Sequence, residues 1–512
     1  MIEKAKEKTV NFRPIVAAAV AFASGILCSF LCFLYGAAVI AAVSAAFAVG
    51  FILLFLFKAG KKIKTGAGLL LLVFVFGLSF AEVRITAAEN ARSFSESGLF
   101  CGTVESCKKL EKSGYSVVFK HLSFNGEQLS GSAKGYVYSS ADIDAGDRLT
   151  FAAELKRTVD DYYDKKDDFS RSSLYEAFRG RYYAVKMRGA VKGVSRDDNI
   201  FERTFLSFRD VFANNLGENS YPLAIALVLG DTSYLDYSVK EIYRTAGIAH
   251  VFAVSGLHIG LFVTVFAFIA AKLGLKRWKK LAFVLVPAFI YCGVCGFRPS
   301  AVRAFIMTGM LILSECVGFK RDRLSVLALA FIVILLWQPF YLFDAGFQLS
   351  FLAVGGIICY SPVISRGAKP LKRLGEGVSV TMSATLGTLP VLTDISGYMS
   401  IISVFTNLIF VPIICAVYQI SVCFAFFAVV ENAVFGSATV SLFIPDVLIG
   451  AVNFAVGLFD YSKVIVPAGF GILAVSYYFG LLFLTDYVNV SSKYKLPLVL
   501  FFSGFALIAS VL

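Results

Sequence analysis

Stretches of about 17 to 25 apolar residues recur along this chain, and they restrict its fold more than any motif. At roughly 1.5 Å of rise per residue, each is long enough as a helix to cross a hydrocarbon core about 30 Å thick. No water reaches the backbone there, so every peptide group must be satisfied within the segment, which requires helices. The composition agrees: 58% of residues are hydrophobic, 16% are charged, 51 are Phe, and the mean hydropathy is +0.75. One soluble core cannot hide that much apolar surface.

The pattern predicts spans near Pro14–Tyr35, Gly36–Phe57, Ala67–Val83, His250–Ala271, Leu281–Phe297, Ala301–Val317 and Leu324–Trp337. It predicts further spans near Ala345–Ser361, Val378–Leu392, Ile401–Val430, Val434–Leu458, Val464–Thr485 and Leu496–Leu512. The fold class expected is a polytopic α-helical membrane protein of about 11–13 spans with an extracytoplasmic OB-like β-barrel domain. Three regions follow: N-terminal transmembrane helices over 1–87, the extracytoplasmic domain over 88–205 and a second transmembrane domain over 206–512. The first span runs straight into the second, so it reads as a retained anchor and not a cleaved signal.

Basic residues give the orientation, because short Lys- and Arg-rich connections stay in the cytoplasm. Lys4, Lys6, Lys8 and Arg13 precede the first span, and Lys58, Lys61, Lys62 and Lys64 follow the second. Every second later connection is again basic, at Lys272–Lys280, Lys320–Arg323, Arg366–Arg373 and Lys493–Lys495. The N-terminus is therefore expected in the cytoplasm and residues 88–205 outside a bacterial plasma membrane. Residues 88–205 hold 19 Lys+Arg against 18 Asp+Glu, so the net charge of +13 reports membrane topology more than a nucleic-acid footprint.

Within the polar region, Leu99–Val104, Tyr115–Leu122, Ser132–Tyr138 and Arg148–Leu155 alternate and are separated by turn residues such as Asn125-Gly126. Four or five short strands suit a small closed barrel, and a sandwich fragment is the alternative. Behind them, Arg179, Arg181, Tyr182, Tyr183, Lys186 and Arg188 form a basic run with interleaved aromatics, the pattern that binds single-stranded nucleic acid. The competing reading is a solvated strand face near lipid headgroups. Ten cysteines are scattered mostly through the spans; the lone Cys292-x-x-Cys295 does not make a zinc site, and Cys101 and Cys107 lie outside, where a disulfide is permitted but, from about 20 Å apart on one straight strand, would require the chain to bend.

The motif-dense part begins at Gly230-Asp231 and continues through Arg244-Thr245-Ala246-Gly247-Ile248-Ala249-His250 to Ser255-Gly256-Leu257-His258-Ile259-Gly260. Ser255 and His258 are expected on one helix face, with Gly256 and Gly260 allowing a close helix crossing. Arg298-Pro299-Ser300-Ala301-Val302-Arg303, then Asp344-Ala345-Gly346-Phe347-Gln348, then Thr388-Leu389-Pro390 and Asn407 with Pro412 follow. Polar groups at membrane depth face a bundle interior or a hydrated path, so Asp231, His250, Ser255, His258, Arg298, Arg303, Asp344, Gln348 and Asn407 are the candidate path-lining residues. An Arg303–Asp344 pair would neutralise both charges. A hydrolase built on Ser255 and His258 is the competing reading, although no nucleophile-elbow pattern surrounds Ser255.

Taken in order, these four motif groups resemble the ComEC family of competence membrane channels, and the resemblance extends over most of the chain. It implies passage of one DNA strand across the inner membrane during transformation; no catalysis, cofactor or metal is expected of this chain. It also implies single-stranded DNA and membrane lipids as partners, with a separate DNA receptor, nuclease and cytoplasmic motor, and association into a homo-oligomer. Many members continue into a metallo-β-lactamase-like domain. The only histidines here are His121, His250 and His258, and Leu512 falls within a predicted span, so that domain is expected to be absent. A transporter of another anionic polymer or lipid would be lined by the same polar residues. No GxxxxGK[ST] loop is present, so energy is expected from elsewhere.

Overall fold

The computed structural model describes residues 13–35, 61–91, 97–110, 114–138, 143, 146–158, 177–196, 200–252, 254, 256–317, 322–367, 372–396, 398–400, 402–458, 463–465, 471–482, 485 and 499. They fall into two compact units. One comprises Pro14–Thr204 with Ala328–Phe343, and the other Met1–Arg13, Phe205–Leu327 and Asp344–Leu512.

In the first unit, α1 (Pro14–Tyr35) packs against α2 (Lys61–Glu89). Small residues bring the two backbones together: a Cβ on Gly25 would strike the Phe74 carbonyl, and one on Gly77 would lie 2.5 Å from the Phe22 oxygen. One turn further on, the Ser29 hydroxyl donates to Glu82 Oε2 at 2.9 Å, so the helices run parallel. The span expected at Gly36–Phe57 lies outside the described residues.

The β domain contains β1 (Ser97–Leu110), β2 (Gly114–Phe124), β3 (Ala133–Val137), β4 (Asp147–Arg157) and β5 (Tyr183–Arg196). Pairing runs β1-β2-β3-β5-β4 and back to β1, with β3 and β5 parallel and the other pairs antiparallel. That closed five-stranded order is an OB-like barrel. Alternation drives it: β4 buries Leu149, Phe151, Ala153 and Leu155 and turns the residues between them outward. The rings of Phe100, Phe119 and Phe151 meet inside, with centroids 5.1 to 6.0 Å apart. Asn125 and Gly126 both have positive φ, +51° and +85°, as a two-residue hairpin turn requires, and lead into a two-residue strand, Glu127–Gln128. The closing strand β5 comes from the run read as basic and aromatic, behind the four strands legible by alternation. Cys101 and Cys107 are free thiols six positions apart on β1. Arg148 Nε lies 3.2 Å from the Cys101 sulfur, and Cys107 donates to the Ile143 carbonyl.

The second unit is helical: α3 (Ile200–Asn215), α4 (Tyr221–Ala224) continuing as a π-helical turn (Ile225–Leu229), α5 (Tyr237–Thr245), a 3-10 turn (Ala249–Phe252), α6 (Gly256–Lys272), α7 (Arg277–Val294) and α8 (Pro299–Val317). Helix α9 (Arg323–Trp337) carries the chain to a 3-10 turn (Pro339–Phe343) of the first unit. Then follow α10 (Ala345–Gly367), α11 (Lys372–Ser396), β6 (Tyr398–Ser400), α12 (Ser403–Phe435), α13 (Thr439–Gly457), β7 (Lys463–Ile465) and α14 (Gly471–Leu482). Among the described residues, six helices are long and apolar enough to cross a membrane: those covering Pro14–Leu34, Gly68–Glu89, Ala345–Arg366, Gly375–Ile395, Ser403–Phe435 and Thr439–Gly457. Three shorter apolar helices lie at His258–Lys272, Pro299–Ser314 and Arg323–Trp337. The protein is a polytopic helical membrane protein with a barrel domain.

Two expectations are corrected. The helix predicted from His250 begins at Gly256, because Gly247 (φ +76°) ends α5 and a 3-10 turn intervenes. The helix predicted from Val464 begins at Gly471, because the β-branched Val464 and Ile465 pair as strand β7 with Met399 and Tyr398. The predicted Leu496–Leu512 span lies almost wholly outside the described residues.

Candidate functional site

Three helix ends are built alike and aim the motif residues. After α5, Ile248 N donates to Tyr243 O and Gly247 N to Arg244 O; after α7, Phe297 N donates to Cys292 O and Gly296 N to Gly293 O. After α6, Leu275 and Gly274 repeat the arrangement on Ala270 and Ala271. This is the glycine-terminated cap with 6→1 and 5→2 bonds. At the α7 end, Gly296 (φ +72°) is followed by Phe297 at φ +46°, a left-handed conformation that costs a non-glycine residue about 1 kcal/mol. The reversal lets Pro299 start α8, and Arg298 Nη2 reaches Asp231 Oδ2 at 3.2 Å.

Asp231 follows the π turn. Gly230 (φ +73°) allows the exit, and a Cβ there would lie 2.5 Å from Val254 Cγ2. The Asp231 carboxylate also accepts from Ser233 N at 2.9 Å and Ser233 Oγ at 2.7 Å. A π turn leaves carbonyls free of their normal i+4 partners, and one of them, Val228 O, accepts from Tyr291 Oη on α7 at 2.6 Å. Tyr418 Oη of α12 donates to Tyr291 Oη at 3.1 Å, and its ring meets the His258 imidazole edge-to-face at 4.3 Å. His258 is buried, so its imidazole is committed to this packing.

The start of α8 joins the start of α10. Arg303, buried, donates from Nη2 to Gly346 O at 3.0 Å and stands 3.9 Å from Asp344 Oδ1, the pair anticipated from the sequence. Asp344 is the N-cap of α10: its Oδ1 accepts from Phe347 N at 2.8 Å. A Cβ on Gly346 would sit 3.3 Å from the guanidinium, which explains a glycine at that place. Gln348 lies on the first turn of α10, its N–H on the Asp344 carbonyl. The start of α12 holds the segment before α6: Thr406 Oγ1 donates to Ala246 O at 2.6 Å, and Asn407 Nδ2 to Gly247 O at 3.4 Å.

One polar chain therefore runs Asp344, Arg303, the first turn of α8, Arg298, Asp231, the π turn, Tyr291, Tyr418 and His258. His250 is the second residue of the 3-10 turn Ala249–Phe252, between the α5 cap and α6, and Ser255 lies outside the described residues. The sequence reading missed Tyr291, Tyr418 and Thr406. The available signal was the hydroxyl itself, since a tyrosine in an apolar span needs a partner for its O–H. The Cys292 and Cys295 thiols are buried against the carbonyls of Ala301 and Val228. The Gly256/Gly260 pair does not mark a close crossing, as a Cβ at either meets nothing within 4 Å among the described residues. Such a crossing occurs at Gly356 and Gly387, between α10 and α11.

Residues 227–489 match the family of competence proteins, which is half of the chain. The chain belongs to the competence protein family. It is 28% identical over 382 residues to ComE operon protein 3 of Bacillus subtilis, covering 72% of this chain and 48% of that relative. Recombination protein 2 of Haemophilus influenzae is 24% identical over 34% of this chain and 23% of its own length. Competence protein ComA of Neisseria gonorrhoeae is 28% identical over 26% of this chain and 20% of its own. The chain spans about half the length of the first of these relatives and less of the others. No solved structure matches. The polar chain, from Asp231 to Tyr418 in sequence, lies inside the family segment, and the barrel lies before it.

On the barrel, the six basic-run candidates separate. Tyr183 is 1% exposed in the core, so both faces of its ring are spent on packing and it is withdrawn as a stacking platform. Tyr182 is half-buried beside Gly131, whose missing Cβ its ring would clash with. Arg179 stacks over Tyr341 at 5.7 Å, and its carbonyl accepts from Gln338 Nε2. Arg181 is half-buried, and its carbonyl accepts from Thr158 Oγ1. Lys186 and Arg188 face solvent from β5, where Arg188 pairs with Glu154 and holds that carboxyl below the usual carboxylate range.

Proposed function

We propose that this protein carries single-stranded DNA across the bacterial plasma membrane during transformation. The observation that carries the reading is the polar chain. It joins the starts of α8 and α10 to the π turn, α7, α12 and α6, and its charges are matched in pairs, Asp231 with Arg298 and Arg303 with Asp344. A polyanion cannot cross bare hydrocarbon, and buried charge persists at membrane depth where it shapes a protein-lined route. Membership of the competence family, with relatives named for competence and recombination, supports DNA as the cargo.

In this reading the N-terminus and the basic connections lie in the cytoplasm, and the barrel stands outside and receives the strand. Asp231, His250, Ser255, His258, Arg298, Arg303, Asp344, Gln348 and Asn407 shape the route, and Lys186 and Arg188 meet phosphate. A separate receptor, nuclease and motor deliver, trim and pull the DNA, and copies of the chain assemble around it. The role is transport, not catalysis.

The test is uptake of labelled transforming DNA in cells with the gene, without it, and with His258→Ala or Arg303→Gln at equal protein level. DNA held outside the cytoplasm in the deletion and in both variants is the expected result. Unchanged internalisation in the deletion, with no second gene of this family present, would remove DNA as the cargo.

A further inference from the structure

The outer face of the barrel carries an ordered patch that alternation along the basic run could not reveal, because it is assembled from three strands. Register across the sheet sets out its rows. Lys134 on β3 pairs with Ala184 on β5, which pairs with Lys156 on β4; Tyr136 pairs with Lys186, which pairs with Glu154. Tyr138, just past the end of β3, and Arg188 on β5 extend the patch in the same direction. All these positions alternate with core residues, Ala133, Gly135 and Val137 on β3 and Tyr183 and Val185 on β5, so they share the outward face. Tyr136 is 56% exposed and Tyr138 62%, although a large aromatic ring in water is a cost unless something covers it.

From this arrangement we infer that the outer face of β3 and β5 is the site on which single-stranded DNA first lies, with Tyr136 and Tyr138 stacking on bases and Lys134, Lys186 and Arg188 tracking the phosphates. The inference rests on the DNA-uptake reading and supplies its docking face. The spacing fits the occupant. Residues two apart on a strand stand about 6.8 Å from each other. That is about twice the 3.4 Å spacing of stacked nucleotides, so the two rings receive bases of a stretched strand and not of a stacked duplex. Neighbouring strands are about 4.8 Å apart, so Lys186 stands in the row beside Tyr136, within a side chain's reach of the backbone of a base stacked on that ring. Glu154 is the one carboxylate in these rows, and its hydrogen bond from Arg188 Nε at 3.1 Å competes with phosphate for that guanidinium.

The experiment is fluorescence anisotropy of labelled oligothymidylate about 16 nucleotides long against the full chain in lipid nanodiscs, with duplex of equal length alongside. Tyr136→Ala with Tyr138→Ala is expected to weaken single-strand binding at least about tenfold, and the double Phe variant to retain it. Lys186→Gln should lower the salt dependence of binding by about 0.7 in log–log slope. Glu154→Gln should tighten binding severalfold by freeing Arg188. Should the Ala pair fail to fold, the Glu154→Gln result decides alone. Wild-type binding that neither the Ala pair nor Glu154→Gln alters overturns this face and leaves the uptake reading standing. Absence of single-strand binding by the wild-type chain removes both.

Discussion

Asp344 shows how one side chain serves two ends. Its carboxylate caps α10 through Phe347 N and faces Arg303 across to α8. The two roles separate by substitution, because Asn keeps a cap and loses the charge, whereas Ala loses both. Asp344→Ala is expected to cost about 1 to 2 kcal/mol of stability through the cap alone. Thermal unfolding in lipid should place Asp344→Asn between Ala and wild type, and equal melting of Asn and Ala would assign the whole effect to charge. The pair was legible in the sequence as two lone opposite charges at the starts of two apolar spans. The Asp231–Arg298 pair was not, because its geometry depends on the left-handed Gly296-Phe297 reversal and on a π turn, which no periodicity reports. Tyr183 is buried for a related reason that its sequence context does not report: the pleat turns it into the barrel.

At the scale of elements, prolines inside spans are explained by what accepts their loss. Pro390 in α11 has no N–H for Leu386 O, and Tyr477 Oη on α14 donates to that oxygen at 3.0 Å, while Tyr478 Oη donates to Gly387 O at 2.9 Å. Tyr477→Phe leaves a buried carbonyl without that donor and is expected to cost about 1 to 3 kcal/mol. Combining it with Pro390→Ala should return part of the loss, since the new amide can reach Leu386 O. A double-mutant cycle in lipid checks this, and strictly additive losses would mean that the tyrosine acts through packing only. Helix positions were read closely from hydropathy, as at α1 and α8. Barrel strands were read from alternation, except β5, whose outward cations drew the reading to binding and away from its alternation.

For the whole molecule, the basic connections make a topological prediction. In a cysteine-less background, Gly126→Cys on the barrel hairpin should react with an impermeant maleimide in intact cells, and Gly274→Cys, between α6 and α7, only after lysis. Labelling of both in intact cells would break the inside rule for this chain. By itself the sequence determined that the chain lies in a membrane, which stretches are apolar helices and that a barrel interrupts them, because burial in lipid and the pleat each impose a period on neighbouring residues. Apart from the Arg303–Asp344 pair, which polar residues meet was decided only by the tertiary structure. Asp231 with Arg298, Tyr291 with Val228 and Tyr136 with Lys186 are contacts between elements far apart in the chain, fixed by helix crossings and strand register and by no local pattern.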